Sequence, residues 1–234
     1  MVSGHAKKAG KVSILDKFAL KFRDWMVPKV PLWMETHHLT LMTIFWSLGI
    51  IVCGWLAAFY NNLSWFWLSS FFIAMQWVTD VLDGAVGRER ETGLIKWGFF
   101  MDHFLDYIFL CAVLISYVFT LPAEYVNYAF FTLMIFGASM VNSFLYFGAT
   151  GKFQIQYHGI GPTETRVAFI LLNCLVIFIS PMRLAPLFLW IVIISILVLI
   201  YIVYKDQKEI WAIDKPTFGK IERKKKLSVK KKKN

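Results

Sequence analysis

Six apolar stretches, each long enough to cross a bilayer, leave this chain few folds to choose from. They run from Thr40 to Tyr60, Leu63 to Thr79, Gly98 to Thr120, Tyr125 to Thr150, Thr163 to Ser180 and Leu184 to Tyr204. A hydrocarbon core of about 30 Å is crossed by about 20 helical residues. No water reaches backbone amides there, so each stretch has to satisfy its N–H and C=O groups internally, as a helix. Composition closes the soluble alternative: 58% of residues are hydrophobic, 18% aromatic and only 17% charged, too few to cover a water-facing surface. The expected fold is an all-α integral membrane protein with six transmembrane helices.

Turn-prone residues connect the stretches at Asn61-Asn62, Leu121-Pro122-Ala123 and Ser180-Pro181-Met182-Arg183. Of the 25 Lys and Arg, Arg183 alone falls on that side; the others lie in the N-terminal segment, around the two remaining loops or in the tail. The positive-inside rule then places both termini and both longer loops in the cytoplasm, as an even number of crossings requires. Three parts follow: a cytoplasmic segment over 1–39, a membrane domain over 40–204 and a basic tail over 205–234.

From Val12 to Val27 the pattern is an amphipathic helix lying in the interface, with Ile14, Leu15, Phe18, Leu20, Phe22 and Trp25 beside Lys17, Lys21 and Arg23. A plain soluble helix is the competing reading. The first 30 residues lack a continuous apolar core, so no cleavable signal peptide is expected. Cys53, Cys111 and Cys174 sit inside spans, too far apart for ligand spacing, and read as packing residues. The tail, ending in Arg223–Lys226 and Lys230–Lys233, is expected to be disordered or to lie along anionic lipid. Tethered there it meets headgroups before nucleic acid, so no nucleic-acid partner is expected.

Four acids are out of place in this setting. Asp80 and Asp83 close the second span, and Asp102 and Asp106 sit within the third. Each costs about 2.5 to 3.5 kcal/mol inside a bilayer, which calls for a compensating partner in the bundle interior. Spacings of i, i+3 and i, i+4 put each pair on one helix face, so two facing helices build one oxygen-lined site. Hard oxygen donors suit Mg²⁺, with Mn²⁺ as a substitute, whereas zinc or copper would want His and Cys clusters. An ion- or proton-coupled transporter is the rival use of such acids. Gly84 and Gly87, which allow close backbone approach, and the planar guanidinium of Arg88 favour phosphate chemistry instead.

The string Asp80-Val-Leu-Asp83-Gly84-Ala-Val-Gly87-Arg88, followed after residues 89–97 by Gly98-Phe-Phe-Met-Asp102-His-Phe-Leu-Asp106, resembles the signature of the CDP-alcohol phosphotransferases. That pattern is DxxDGxxAR then GxxxDxxxD, and Gly87 in place of Ala is the one departure. Many members also carry Pro-Asn-x-x-Thr before the first span. Here Thr36-His37-His38-Leu39-Thr40 stands in that place and only Thr40 follows it.

The resemblance implies a CDP-alcohol donor whose diphosphate rests on two metal ions. Asp80, Asp83 and Asp102 would hold the first, and Asp83, Asp102 and Asp106 the second. Gly84, Arg88 and Gly98, with Asp80, would hold the nucleotide. It also implies a homodimer.

Asp102-His103 and Gly161-Pro162-Thr163-Glu164 are similar to steps in choline and ethanolamine phosphotransferases. There a His and a Glu act together as the base that takes a proton from a lipid acceptor, which points to His103 and Glu164 here. Asp106 is the other candidate base. The competing reading gives His103 a bond to a carboxylate and pairs Glu164 with Arg166 at the surface.

The favoured donors are CDP-choline or CDP-ethanolamine with diacylglycerol as acceptor. A CDP-diacylglycerol-dependent enzyme with a polar acceptor is the alternative, and Lys96, Lys152 and Arg166 could form a basic pocket for a phosphorylated alcohol. A chain this much shorter than the eukaryotic enzymes points to a bacterial inner membrane, with the endoplasmic reticulum as the other location.

Overall fold

The computed structural model describes residues 14–153 and 161–233. Its regular elements are helices: α1 (Ile14–Met26), a 3₁₀ turn at Val27–Lys29, α2 (Thr36–Phe59), α3 (Trp65–Glu89), α4 (Ile95–Val118), a 3₁₀ turn at Ala123–Tyr125, α5 (Val126–Thr150), α6 (Pro162–Ile179) and α7 (Pro181–Lys233). No strand occurs among the described residues. Five of the six long helices, all but α3, combine the length and apolar composition needed to cross a membrane. α3 has the length, at 25 residues, but its last turns carry Asp80, Asp83, Arg88 and Glu89. The protein is an all-α membrane protein.

Several bounds differ from the hydropathy reading, and always at the polar ends. α2 opens at Thr36 instead of Thr40, α4 opens at Ile95, and α3 continues past Thr79 to Glu89. Apolar runs mark only the stretch that needs lipid; a helix goes on wherever its polar residues find tertiary partners. α1 matches the expected amphipathic helix, whose first residues, 12–13, lie outside the described part. It docks on α3 and α6, with Phe18 and Phe22 packing at 6.3 Å and 5.2 Å against Trp77. The tail does not take the disordered form expected for it, since α7 runs helically to Lys233 through Pro186 and Pro216.

α2 packs most closely on α3 and α4. Against α4 the reason is Gly54, where an added Cβ would fall 2.4 Å from the Ser116 carbonyl oxygen, so the α2 and α4 backbones nearly touch. Such close approach through a small residue is how membrane helices gain van der Waals contact without a hydrophobic drive. Around the crossing Ile50, Phe66, Ile73, Phe109, Val113 and Tyr117 form the main core. Within it the Tyr117 hydroxyl donates to Asn173 Oδ1 at 2.7 Å, and Asn173 Nδ2 donates to Ser70 Oγ at 3.0 Å.

Two features position the site. A smaller cluster of Val27, Val30, Leu39, Leu82 and Val86 packs the segment before α2 against α3. Over it the Arg90 guanidinium donates to the carbonyls of Met34 at 2.6 Å and Val30 at 2.9 Å, strapping 30–34 to the end of α3. The start of α2 is thereby registered against the acidic end of α3.

Candidate active site

α3 ends, and α2, α4 and α6 begin, around one group of acids. Asp80, Asp102 and Asp106 each offer a carboxylate oxygen, and the three oxygens lie within 4.8 Å of one another. At an effective dielectric of about 20, two unit charges at that separation repel by roughly 3 kcal/mol. Such a group needs cations or bound protons to answer it. Asp83 stands outside this set: Thr40 Oγ1 donates to its Oδ2 at 2.6 Å and Thr36 Oγ1 donates to its Oδ1.

The cation present is Arg166. It enters from the first turns of α6, is 4% exposed, donates through Nη2 to Asp106 Oδ1 at 2.8 Å and forms an ion pair with Asp80 Oδ2 at 3.2 Å. Its Nε donates to Gln76 Oε1 at 2.6 Å. Gln76 is fully buried, with Nε2 unpartnered. One guanidinium answers one of three carboxylate charges and leaves two, which is the charge of one divalent ion. All-oxygen donors, partial exposure and this charge deficit fit a hard divalent cation.

This placement corrects one expectation. Arg166 bonds acids of α3 and α4 instead of Glu164, because a guanidinium buried in a bundle gains more from two carboxylates than from a surface pair. Of the other two residues of the expected basic pocket, Lys152 pairs with Glu209 at 3.2 Å and Lys96 is exposed. Glu164 accepts the Gly161 amide hydrogen at 2.9 Å, capping α6.

His103 Nδ1 lies 2.6 Å from the Phe99 carbonyl, which only accepts, so Nδ1 carries the hydrogen and Nε2 is the basic nitrogen of the neutral ring. Asp102 Oδ2 is 3.6 Å away. The ring is packed by Phe99 at 4.5 Å and Phe153 at 4.7 Å. It also lines an apolar cavity of about 630 Å³ between α4 and α5, with Phe100, Phe104, Tyr107, Val141 and Phe144. Arg88 is exposed beside the acids and lies over Gly84, whose Cβ would come 3.2 Å from Nη1. Nothing lies within 4 Å of where a Gly98 Cβ would be, so that face is open.

Two residues of the site were given no role from the sequence, and a third was given a different one. Thr36 and Gln76 had a signal, since each lies one turn before a residue that was recognised, Thr40 and Asp80. Arg166 had been noticed, but nothing local shows which acids it reaches.

A bundle of membrane helices whose polar ends converge on three carboxylates defines a membrane protein with a site that could hold a divalent cation. The family model described as CDP-alcohol phosphatidyltransferase matches residues 36–213, and the chain belongs to that family. It is therefore a transferase of phospholipid synthesis that uses a divalent metal to pass a phospho-alcohol unit from a CDP-alcohol to a lipid. No curated protein matches the chain.

Proposed function

We propose that the donor is CDP-choline or CDP-ethanolamine and the acceptor the hydroxyl of diacylglycerol, with release of CMP. The observation that carries this is the position of His103. Its ring lines an apolar cavity between two membrane helices while its chain neighbour Asp102 belongs to the acid cluster. A hydroxyl borne on a lipid would reach the base from that cavity, and a charged donor would reach the acids from the polar helix ends.

In the proposed reaction the acceptor oxygen attacks the β-phosphorus of the donor. The P–O bond to CMP breaks, and the hydroxyl proton passes to His103 Nε2, with Glu164 or Asp106 sharing the base role. A positioned base of this kind contributes about 10²- to 10⁴-fold. Arg88, Gly84 and Gly98 would hold the nucleotide, Arg88 by a planar fork that matches phosphate oxygens. Two Mg²⁺ ions, or Mn²⁺, held by Asp80, Asp83, Asp102 and Asp106, would neutralise the diphosphate and stabilise the leaving oxygen. The protein would work as a homodimer, with its active site and both termini facing the cytoplasm of a bacterial inner membrane and its tail against anionic lipid.

The test offers purified protein in lipid nanodiscs labelled CDP-choline, CDP-ethanolamine and CDP-diacylglycerol in parallel, with Mg²⁺ and with or without diacylglycerol. CMP release from a polar-head donor that needs diacylglycerol is the expected result. Turnover of CDP-diacylglycerol alone overturns the donor assignment. Solute uptake into vesicles without consumption of nucleotide overturns the enzyme.

A further inference from the structure

We propose that Thr36 is a positioning residue for the acid cluster, orienting Asp83 through its hydroxyl, and that residue 87 is glycine to make room for that hydroxyl. Asp83 is 5% exposed, and the donors on both its oxygens come from α2. Thr40 donates to Oδ2 at 2.6 Å; the single Thr36 hydrogen is shared between Oδ1 and the Asp83 backbone carbonyl, 2.9 Å away. Two neutral donors fix the plane of a carboxylate without cancelling its charge, unlike the guanidinium that answers Asp80 and Asp106. Each oxygen has two lone pairs, so one on each stays open to a further partner. Outer donors of this kind hold a ligating carboxylate at its working angle.

Gly87 explains how Thr36 gets there. It lies inside α3, so no unusual backbone conformation demands glycine. The demand is steric: an added Cβ would lie 3.0 Å from Thr36 Oγ1 and 3.4 Å from Thr36 Cβ. Thr36 and Gly87 are also both departures from the signature described above, which has Pro and Ala in those places. The two departures meet in a single contact. An alanine at 87 would press on the Thr36 hydroxyl that donates to Asp83 and push it off by a few tenths of an ångström. The Arg90 strap fixes the approach of α2, so the strain cannot be relieved by sliding the helix start.

The inference rests on the proposed function for Asp83 as a metal ligand and for the activity assay, so metal binding is measured separately from turnover. Full-length wild type, Thr36→Ala, Thr36→Ser, Gly87→Ala and the double variant Thr36→Ala/Gly87→Ala are compared. Mn²⁺ binding is followed by electron paramagnetic resonance, and Mg²⁺-dependent CMP release is measured alongside.

Thr36→Ala is expected to weaken Mn²⁺ binding about tenfold, the usual effect of losing an outer donor. Thr36→Ser, which keeps the hydroxyl, is expected to stay near wild type. Gly87→Ala should lose as much as Thr36→Ala, and the double variant no more than either, because both act on one contact. Unchanged Mn²⁺ binding in Thr36→Ala overturns the proposal. So do failure of serine to rescue, losses that multiply in the double variant, and absence of Mn²⁺ binding by wild type. The expected binding pattern without any CMP release would leave the positioning role standing and sink the transferase reading.

Discussion

Arg166 shows how much of this site is electrostatic housekeeping. Its guanidinium bridges Asp80 and Asp106, and removing one partner of a buried charge group costs about 3 to 5 kcal/mol. The two acids are about a fifth exposed, so the lower end applies. Arg166→Met should therefore lower the metal-free melting temperature in detergent, and Mg²⁺ should restore part of the loss by replacing the missing charge. A shift insensitive to Mg²⁺ would refute that account.

Glu164 caps α6 and is proposed to share the base role, and one substitution separates the two. Gln keeps an acceptor oxygen for the Gly161 amide and so keeps the cap, which is worth about 1 kcal/mol; it cannot take a proton. Glu164→Gln is expected to melt like wild type while turnover falls about 10²-fold. Full turnover would leave Glu164 a cap alone. Asp106→Asn should likewise reduce CMP release about 10²-fold or more, whether Asp106 is ligand or base.

At the scale of helices, glycine decides where α2 can lie. Ala is a better helix former than Gly by about 1 kcal/mol, yet at Gly54 the new methyl would stand 2.4 Å from the Ser116 carbonyl oxygen. Overpacking typically costs about 1 to 3 kcal/mol, so the clash wins and Gly54→Ala should lower the melting temperature. Gly148 in α5 has nothing within 4 Å; Gly148→Ala should leave stability unchanged or raise it. Equal responses at the two positions would mean that packing of α2 on α4 is not what holds the pair together.

For the whole molecule, one end of the bundle carries the chemistry. The starts of α2, α4 and α6 and the end of α3 meet there, so the polar residues of four elements share one surface. Chelation of divalent ions should abolish CMP release, and Mg²⁺ or Mn²⁺ should restore it; activity indifferent to chelator would remove the metal from the reaction. Topology is tested by replacing the three native cysteines and placing one cysteine at Glu91 or at Glu124. With an impermeant maleimide on intact cells, Glu124→Cys should label and Glu91→Cys should label only after permeabilisation.

The sequence by itself determined the bilayer as solvent and the acids as the exceptional residues. Both are local facts: a run of apolar residues and an i, i+3 or i, i+4 spacing are written along one stretch of chain. Where α2, α3 and α4 really begin or end was less legible, because polar helix ends depend on partners elsewhere. Tertiary structure alone decided those partners. Arg166 finds Asp106 across 60 residues and Thr36 finds Asp83 across 47. The first joins α6 to α4 and the second α2 to α3, where Gly87 lacks the Cβ that would press on the Thr36 hydroxyl.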